Sequence, residues 1–197
     1  MTIIHFKKKY IYINNKKTNS TWIYDILKED SPEIWVRGYI NQKPIGKNDN
    51  YIQIKTFLDS KKIDINQFYI FGFVLNPITR IACCYHYENT QKMSNVKDLN
   101  LNSKDFNLYI KKDLNLHFDG IDTVFYNHER KKPFNVHIFE IERVTQLWEQ
   151  IEYKLGLNNV MIPYLNQTHQ PPFYLEPTAA IVIRDKYPVD WDFYFNR

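Results

Sequence analysis

Two stretches of the chain carry residues able to hold an anion. Lys16, Lys17, Thr18, Asn19, Ser20 and Thr21 lie between a β-rich run, Tyr10 to Asn14, and a helical pattern, Thr21 to Glu29. Strand, polar loop and helix in that order is the form of a phosphate-binding loop. The free N–H groups and dipole at a helix amino end favour an anion, and Lys17 adds a positive charge. The Walker A pattern Gly-x-x-x-x-Gly-Lys-Ser/Thr is absent, and no Asp pair is placed to hold magnesium, which disfavours a nucleotide kinase. A surface lysine beside an ordinary capped helix is the plain alternative. The second stretch is Gln67 to Glu88. Phe68 to Leu75 reads as a strand buried on both faces, Asn76 as a helix cap and Pro77 as a first-turn residue. Ile78, Ile81, Ala82 and Tyr85 follow at helical spacing and form a stripe expected to pack back on that strand. Arg80 falls in or beside the first helical turn, where a cation gains nothing from the dipole. An anion next to it would explain the choice; a solvated arginine is the alternative.

Other elements position these corners. Ile23, Ile26 and Leu27 give the first helix its apolar stripe, with Ser20 or Thr18 as cap. Ile34 to Ile40 reads as a strand, and Tyr51 to Asp59 as either a short helix or a strand. Ser103 to Leu114 is predicted helical, capped by Ser103, with Phe106, Tyr109, Ile110 and Leu114 on one face. Val136 to Ile141 is an apolar run that ends a strand. Val144, Leu147, Trp148, Ile151 and Leu155 then form one helical stripe that Gly156 terminates. His117, His128 and His137 match no metal-ligand spacing and have no cysteine partner, so no metal is expected. His128, beside Glu129 and Arg130 in a loop, is the candidate general base.

At 197 residues the length fits one domain, 1–197, with a substantial core. The net charge of +4 is distributed over small groups, Lys7 to Lys9, Lys16-Lys17, Lys61-Lys62, Lys111-Lys112 and Arg130 to Lys132. That pattern argues for a solvated surface and against a nucleic-acid stripe, and remains compatible with an acidic glycan. Cys83 and Cys84 are adjacent within a predicted helix and cannot readily bridge each other, which points to a reducing, cytoplasmic setting. No run approaches the roughly 18 apolar residues of a membrane span. Strands alternating with helices imply an α/β domain with a mainly parallel sheet, whose ligands bind at the carboxyl ends of strands.

Phe73, Val74, Asn76, Pro77, Arg80 and Tyr85 together resemble the 3′-phosphate-binding segment of sulfotransferases, nearest the carbohydrate (heparan-type and bacterial) branch. That branch usually reads Phe-Val-Arg-Asn-Pro-x-x-Arg-x-x-Ser-x-Tyr; Leu75 and Cys83 stand where it has arginine and serine. Residues 16–22 resemble the family's 5′-phosphosulfate loop, Pro-Lys-Thr-Gly-Gly-Thr-Ser. Lys17, Thr18 and Thr21 match it, while Lys16, Asn19, Ser20 and Trp22 replace Pro, Gly, Gly and Ser. Glu142, Leu155-Gly156-Leu157, Ile162 to Thr168, and Ile183, Tyr187, Asp190 and Tyr194 extend the likeness in order along the chain. The resemblance implies a P-loop-like three-layer fold with helices flanking the sheet. It implies transfer of a sulfuryl group from 3′-phosphoadenosine 5′-phosphosulfate to a hydroxyl, on a carbohydrate acceptor. Lys17 would stabilise the leaving group, residues 16–21 would bind the donor, and Arg80 and Cys83 would face the 3′-phosphate. A relative that keeps the fold as a binding protein without turnover is the competing class.

Overall fold

The computed structural model describes residues 2–18, 21–29, 39–40, 43–44, 49–92, 102–112, 119–157 and 173–196. They divide into two compact units, residues 1–74 with 121–165, and residues 75–120 with 166–197.

The first unit is built on a four-stranded sheet. Its strands are β1 (Ile3–His5), β2 (Tyr10–Ile13), β5 (Tyr69–Val74) and β6 (Val136–Glu140), in the order β1-β2-β5-β6. β1 is antiparallel to β2, while β2, β5 and β6 run parallel. A separate antiparallel pair joins β3 (Tyr39–Ile40) to β4 (Lys43–Pro44). The helices of this unit are α1 (Thr21–Glu29), α2 (Tyr51–Ser60), α5 (Ile121–Phe125) and α6 (Val144–Leu155). This is the expected α/β architecture, a mainly parallel sheet flanked by helices. β2 is buried along its whole length, and β5 from Ile70 onward, as their unbroken apolar runs require.

Strand alternation sorts the sheet's two faces. Tyr10, Tyr12, Phe71, Phe73 and Phe139 form one aromatic layer, with Tyr12 and Phe71 centroids 5.4 Å apart and Phe73 and Phe139 5.9 Å apart. Ile70, Gly72 and Val74 face the other way. A Cβ on Gly72 would collide with the Phe125 ring of α5 and lie 2.7 Å from the Ile13 carbonyl oxygen. Gly72→Ala is therefore expected to destabilise by about 1–3 kcal/mol, read as a lowered urea midpoint with an unchanged m-value.

Local signals explain most element ends. Asn50 settles the residue 51–60 segment as helix: its side chain accepts from Gln53 N–H while Gln53 accepts from Asn50 N–H, a capping box. α6 ends at Gly156, whose φ of 60° completes a turn in which Leu157 N–H reaches Glu152 O at 3.0 Å. α2 ends in the same geometry with Lys62 at φ 57° in place of glycine. His137 stacks on Tyr69 at 4.4 Å, and burial followed by the charges of Lys132 and Lys154 lowers its pKa from 6.5. A histidine whose pKa is lowered in the folded state binds fewer protons there than in the unfolded state. Its contribution is present above pH 6.5 and is lost as pH falls below it. Wild-type protein is expected to lose more stability than His137→Gln between about pH 7 and 5, measured by urea titration.

The second unit holds α3 (Pro77–Lys92), α4 (Ser103–Lys112), α7 (Pro177–Lys186) and α8 (Pro188–Phe195). Asn76 caps α3, accepting from Ile78 N–H at 3.0 Å, with Pro77 in the first turn. The stripe expected to pack on the strand joins a core within this unit: Ile81, Ala82 and Tyr85 meet Phe106, Ile110 and Ile183. α4 is capped by Asn102, which accepts from Asp105 N–H at 2.9 Å, and not by Ser103. The Ser103 hydroxyl oxygen instead accepts from Tyr174 N–H at 2.9 Å, tying α4 to the segment before α7. The stretches 30–38 and 162–168 read in the sequence lie outside the described residues.

Candidate functional site

β2 carries the chain to the carboxyl edge of the parallel strands, and the loop that follows is anchored before it is charged. Asn15 and Thr18 are buried, and the Thr18 hydroxyl donates to the Asn15 carbonyl at 2.8 Å, closing the turn on itself. Its single proton is engaged there, so Thr18 shapes the loop and offers an anion its backbone rather than a hydroxyl donor. Lys16 and Lys17 between them are exposed. Lys17 has φ 59°, a left-handed backbone that glycine adopts freely and lysine does not. Asparagine or glycine is the usual residue at such a point; here it is a lysine. Asn19 and Ser20 lie outside the described residues, and Thr21 opens α1.

Other groups share this edge within the same unit. β6 ends at Glu140 and leads through a 3₁₀ turn, Ile141–Arg143, into α6. Trp22, in the first turn of α1, packs on Trp148 of α6 with centroids 5.5 Å apart. The Trp22 indole N–H is buried and has no acceptor among the described residues. Trp22 stands where the resembling loop carries a serine, so a hydroxyl donor is missing there. It brings a donor of its own, and an indole at the second helical position is the signal that could have shown it.

His128 is not brought to this loop. It is exposed in the turn before β6, where Asn127 Oδ1 accepts from Glu129 and Lys131 N–H at 3.0 Å each. That turn lies at the amino edge of the parallel strands, whereas Lys17 follows the carboxyl end of β2. Strands of four to six residues separate the two edges, on the order of 13–20 Å at 3.3 Å per residue. As general base acting beside Lys17, His128 is withdrawn.

The second unit answers the question posed by Arg80. Its guanidinium is 0% exposed, donates to the Asp119 carbonyl at 3.2 Å and lies 3.7 Å from Asp190 Oδ1. Asp190 sits in the first turn of α8, at 1% exposure. Burial pulls the Arg80 pKa down to about 10, with Asp190 opposing, and burial pushes the adjoining Tyr187 phenol up to about 12. The anion beside Arg80 is thus the chain's own carboxylate. Arg80 does not present itself to solvent as a phosphate ligand; it fastens α3 to α8. Cys83, one turn on, is half-buried and not in a disulfide. Among the described residues no group of three His, Cys, Asp or Glu could hold a metal ion.

No protein-family model and no curated protein matches the sequence. Among solved structures, the mouse sulfotransferase SULT7A1 complexed with PAP superposes with a TM-score of 0.52. The match covers 98% of this chain and 88% of that one, at 12% sequence identity. The fold matches that of a sulfotransferase. At that identity the likeness to the sulfotransferase is one of fold, and the roles of individual residues rest on the geometry of each unit. No described helix is long and apolar enough to cross a membrane.

Proposed function

We propose that the protein is a sulfotransferase, with residues 16–21 and the start of α1 holding the 5′-phosphosulfate of 3′-phosphoadenosine 5′-phosphosulfate. The observation that carries this reading is an exposed Lys16-Lys17 pair on a turn pinned by Asn15 and Thr18, just ahead of a helix amino end. Lys17 would neutralise charge on the leaving phosphate as the sulfuryl group departs, the backbone N–H groups would bind its oxygens, and the Trp22 indole would add a donor. In-line attack by an acceptor hydroxyl breaks the bond between sulfur and the bridging phosphate oxygen, and the hydroxyl proton leaves to a base not among the residues assigned. The sequence likeness to the carbohydrate branch makes a sugar hydroxyl the acceptor, and Cys83 and Cys84, neither of them in a disulfide, fit a reducing, cytoplasmic setting. The same likeness assigns the 3′-phosphate to the start of α3; with Arg80 committed to Asp190, Asn76 and Cys83 are half-buried residues of that motif.

A binding protein that keeps this fold without turnover is the second reading, favoured by the internal engagement of Arg80. Thermal-shift titration with 3′-phosphoadenosine 5′-phosphate separates the two. At 100 times Kd a specific ligand adds about 2.7 kcal/mol, an upward shift of several degrees. No shift at millimolar nucleotide supports the lapsed reading.

A further inference from the structure

The four non-glycine residues with left-handed backbone among the described residues are all basic: Lys9, Lys17, Lys62 and Arg130. Asparagine is plentiful in this chain and takes that backbone at lower cost, so the turns themselves do not explain the choice. Lys17 belongs to the candidate donor loop. The other three stand together at the opposite, amino edge of the same sheet. The 6–9 hairpin joins β1 to the start of β2, and the Lys9 carbonyl accepts from Tyr69 N–H, the first residue of β5, at 2.9 Å. The 61–64 turn leads into Ile65, whose carbonyl accepts from Asn135 Nδ2 at 3.2 Å just before β6. The 127–132 turn opens β6 from the same side.

Basic runs that are far apart in sequence therefore share one edge. In these three turns eight Lys and Arg stand against two acids, a net of +6 beside +4 for the whole chain. Both acids are engaged locally: Asp64 accepts from Asn66 N–H at 2.9 Å, and Glu129 pairs with Lys131 at 3.2 Å. Phe134, on the same edge after Pro133, is 79% exposed. Seven of the eight cations are lysines, point charges without the fork that reads phosphates individually. Charge on protruding turn tips, with one apolar side chain among them, suits a plane of negative charge better than a threaded polymer.

We infer that the amino edge of the first unit docks on an anionic phospholipid surface, with Phe134 entering the headgroup layer. This surface is separate from the donor loop, so the proposal stands or falls independently of the sulfotransferase reading. The test is co-sedimentation of the full chain with vesicles of phosphatidylcholine alone or with about 30% phosphatidylserine, at about 0.1 M salt. Binding is expected only to the anionic vesicles and is expected to weaken as salt rises. Each basic residue removed lowers partitioning about fivefold. The combined Lys7→Gln, Lys61→Gln, Lys62→Asn and Arg130→Asn variant, which keeps left-handed-tolerant residues at 62 and 130, is expected to lose more than about 100-fold. Phe134→Ser is expected to lose about 10-fold or more with the salt dependence unchanged. Circular dichroism checks that each variant is folded. Wild-type protein that stays in the supernatant, or a quadruple variant that pellets like wild type, overturns the proposal. A chain that ignores vesicles but is retained on heparin or on an immobilised oligonucleotide binds a linear polyanion instead, and overturns it equally.

Discussion

Arg80→Ala is expected to cost about 3–5 kcal/mol, enough to unfold much of a marginal domain at 37 °C. The reason is what the deletion leaves behind. Asp190 is buried to 1% and loses the guanidinium 3.7 Å away, while the Asp119 carbonyl loses its 3.2 Å donor. A carboxylate at that depth that has lost this cation must either stay charged against a larger desolvation penalty or take up a proton. Asp190→Asn is expected to cost a comparable amount, since it leaves the buried Arg80 guanidinium facing a neutral amide of the same size. Arg80→Met with Asp190→Leu is expected to recover much of the loss, because replacing both partners leaves no orphaned charge. Urea denaturation of the three variants measures these differences. A solvated arginine would give an Arg80→Ala effect within about 0.5 kcal/mol.

Lys17→Ala is expected to do the reverse, disabling the site while sparing the fold. Its side chain is exposed, so the fold loses little with it. Losing one charged hydrogen bond to a phosphate costs about 1.5–3 kcal/mol, which weakens nucleotide binding about 10- to 150-fold. Turnover falls further if the same charge grows in importance as the leaving phosphate develops its negative charge, by about 100- to 1,000-fold in all. Lys17→Gly sharpens the test. Glycine relieves the φ of 59°, so this variant is expected to be as stable as wild type or more so, by up to about 1 kcal/mol, while binding nucleotide as poorly as alanine. Stability and binding moving in opposite directions would show that lysine is held in a strained backbone for its charge.

Legibility in the sequence followed the range of the signals. The corner from β5 into α3 and the end of α6 were readable because their determinants are local: an apolar run of six to eight residues followed by Asn76 and Pro77, and Gly156 at the helix end. The 51–60 segment stayed ambiguous because Tyr51, Ile52, Ile54 and Phe57 suit a strand as well as a helix. The Asn50 and Gln53 reciprocal cap, two ordinary polar residues, decides it. The position of Arg80 in the first turn of a helix leaves both an adjacent anion and a solvated arginine open. That its partner is Asp190, over a hundred residues away, depends on how α8 packs and has no local trace. The edge on which His128 falls is likewise fixed by strand direction, which parallel pairing of β6 with β5 sets and sequence spacing does not. Lysine at left-handed positions was invisible because the usual marker, glycine, is missing from them.

A crystal structure of the protein grown with 3′-phosphoadenosine 5′-phosphate locates the donor site outright. The nucleotide's 5′-phosphate is expected within about 3 Å of the Lys17 ammonium and the N–H groups at the start of α1. Density for the nucleotide elsewhere, with residues 14–18 carrying no phosphate at saturating ligand, would contradict it.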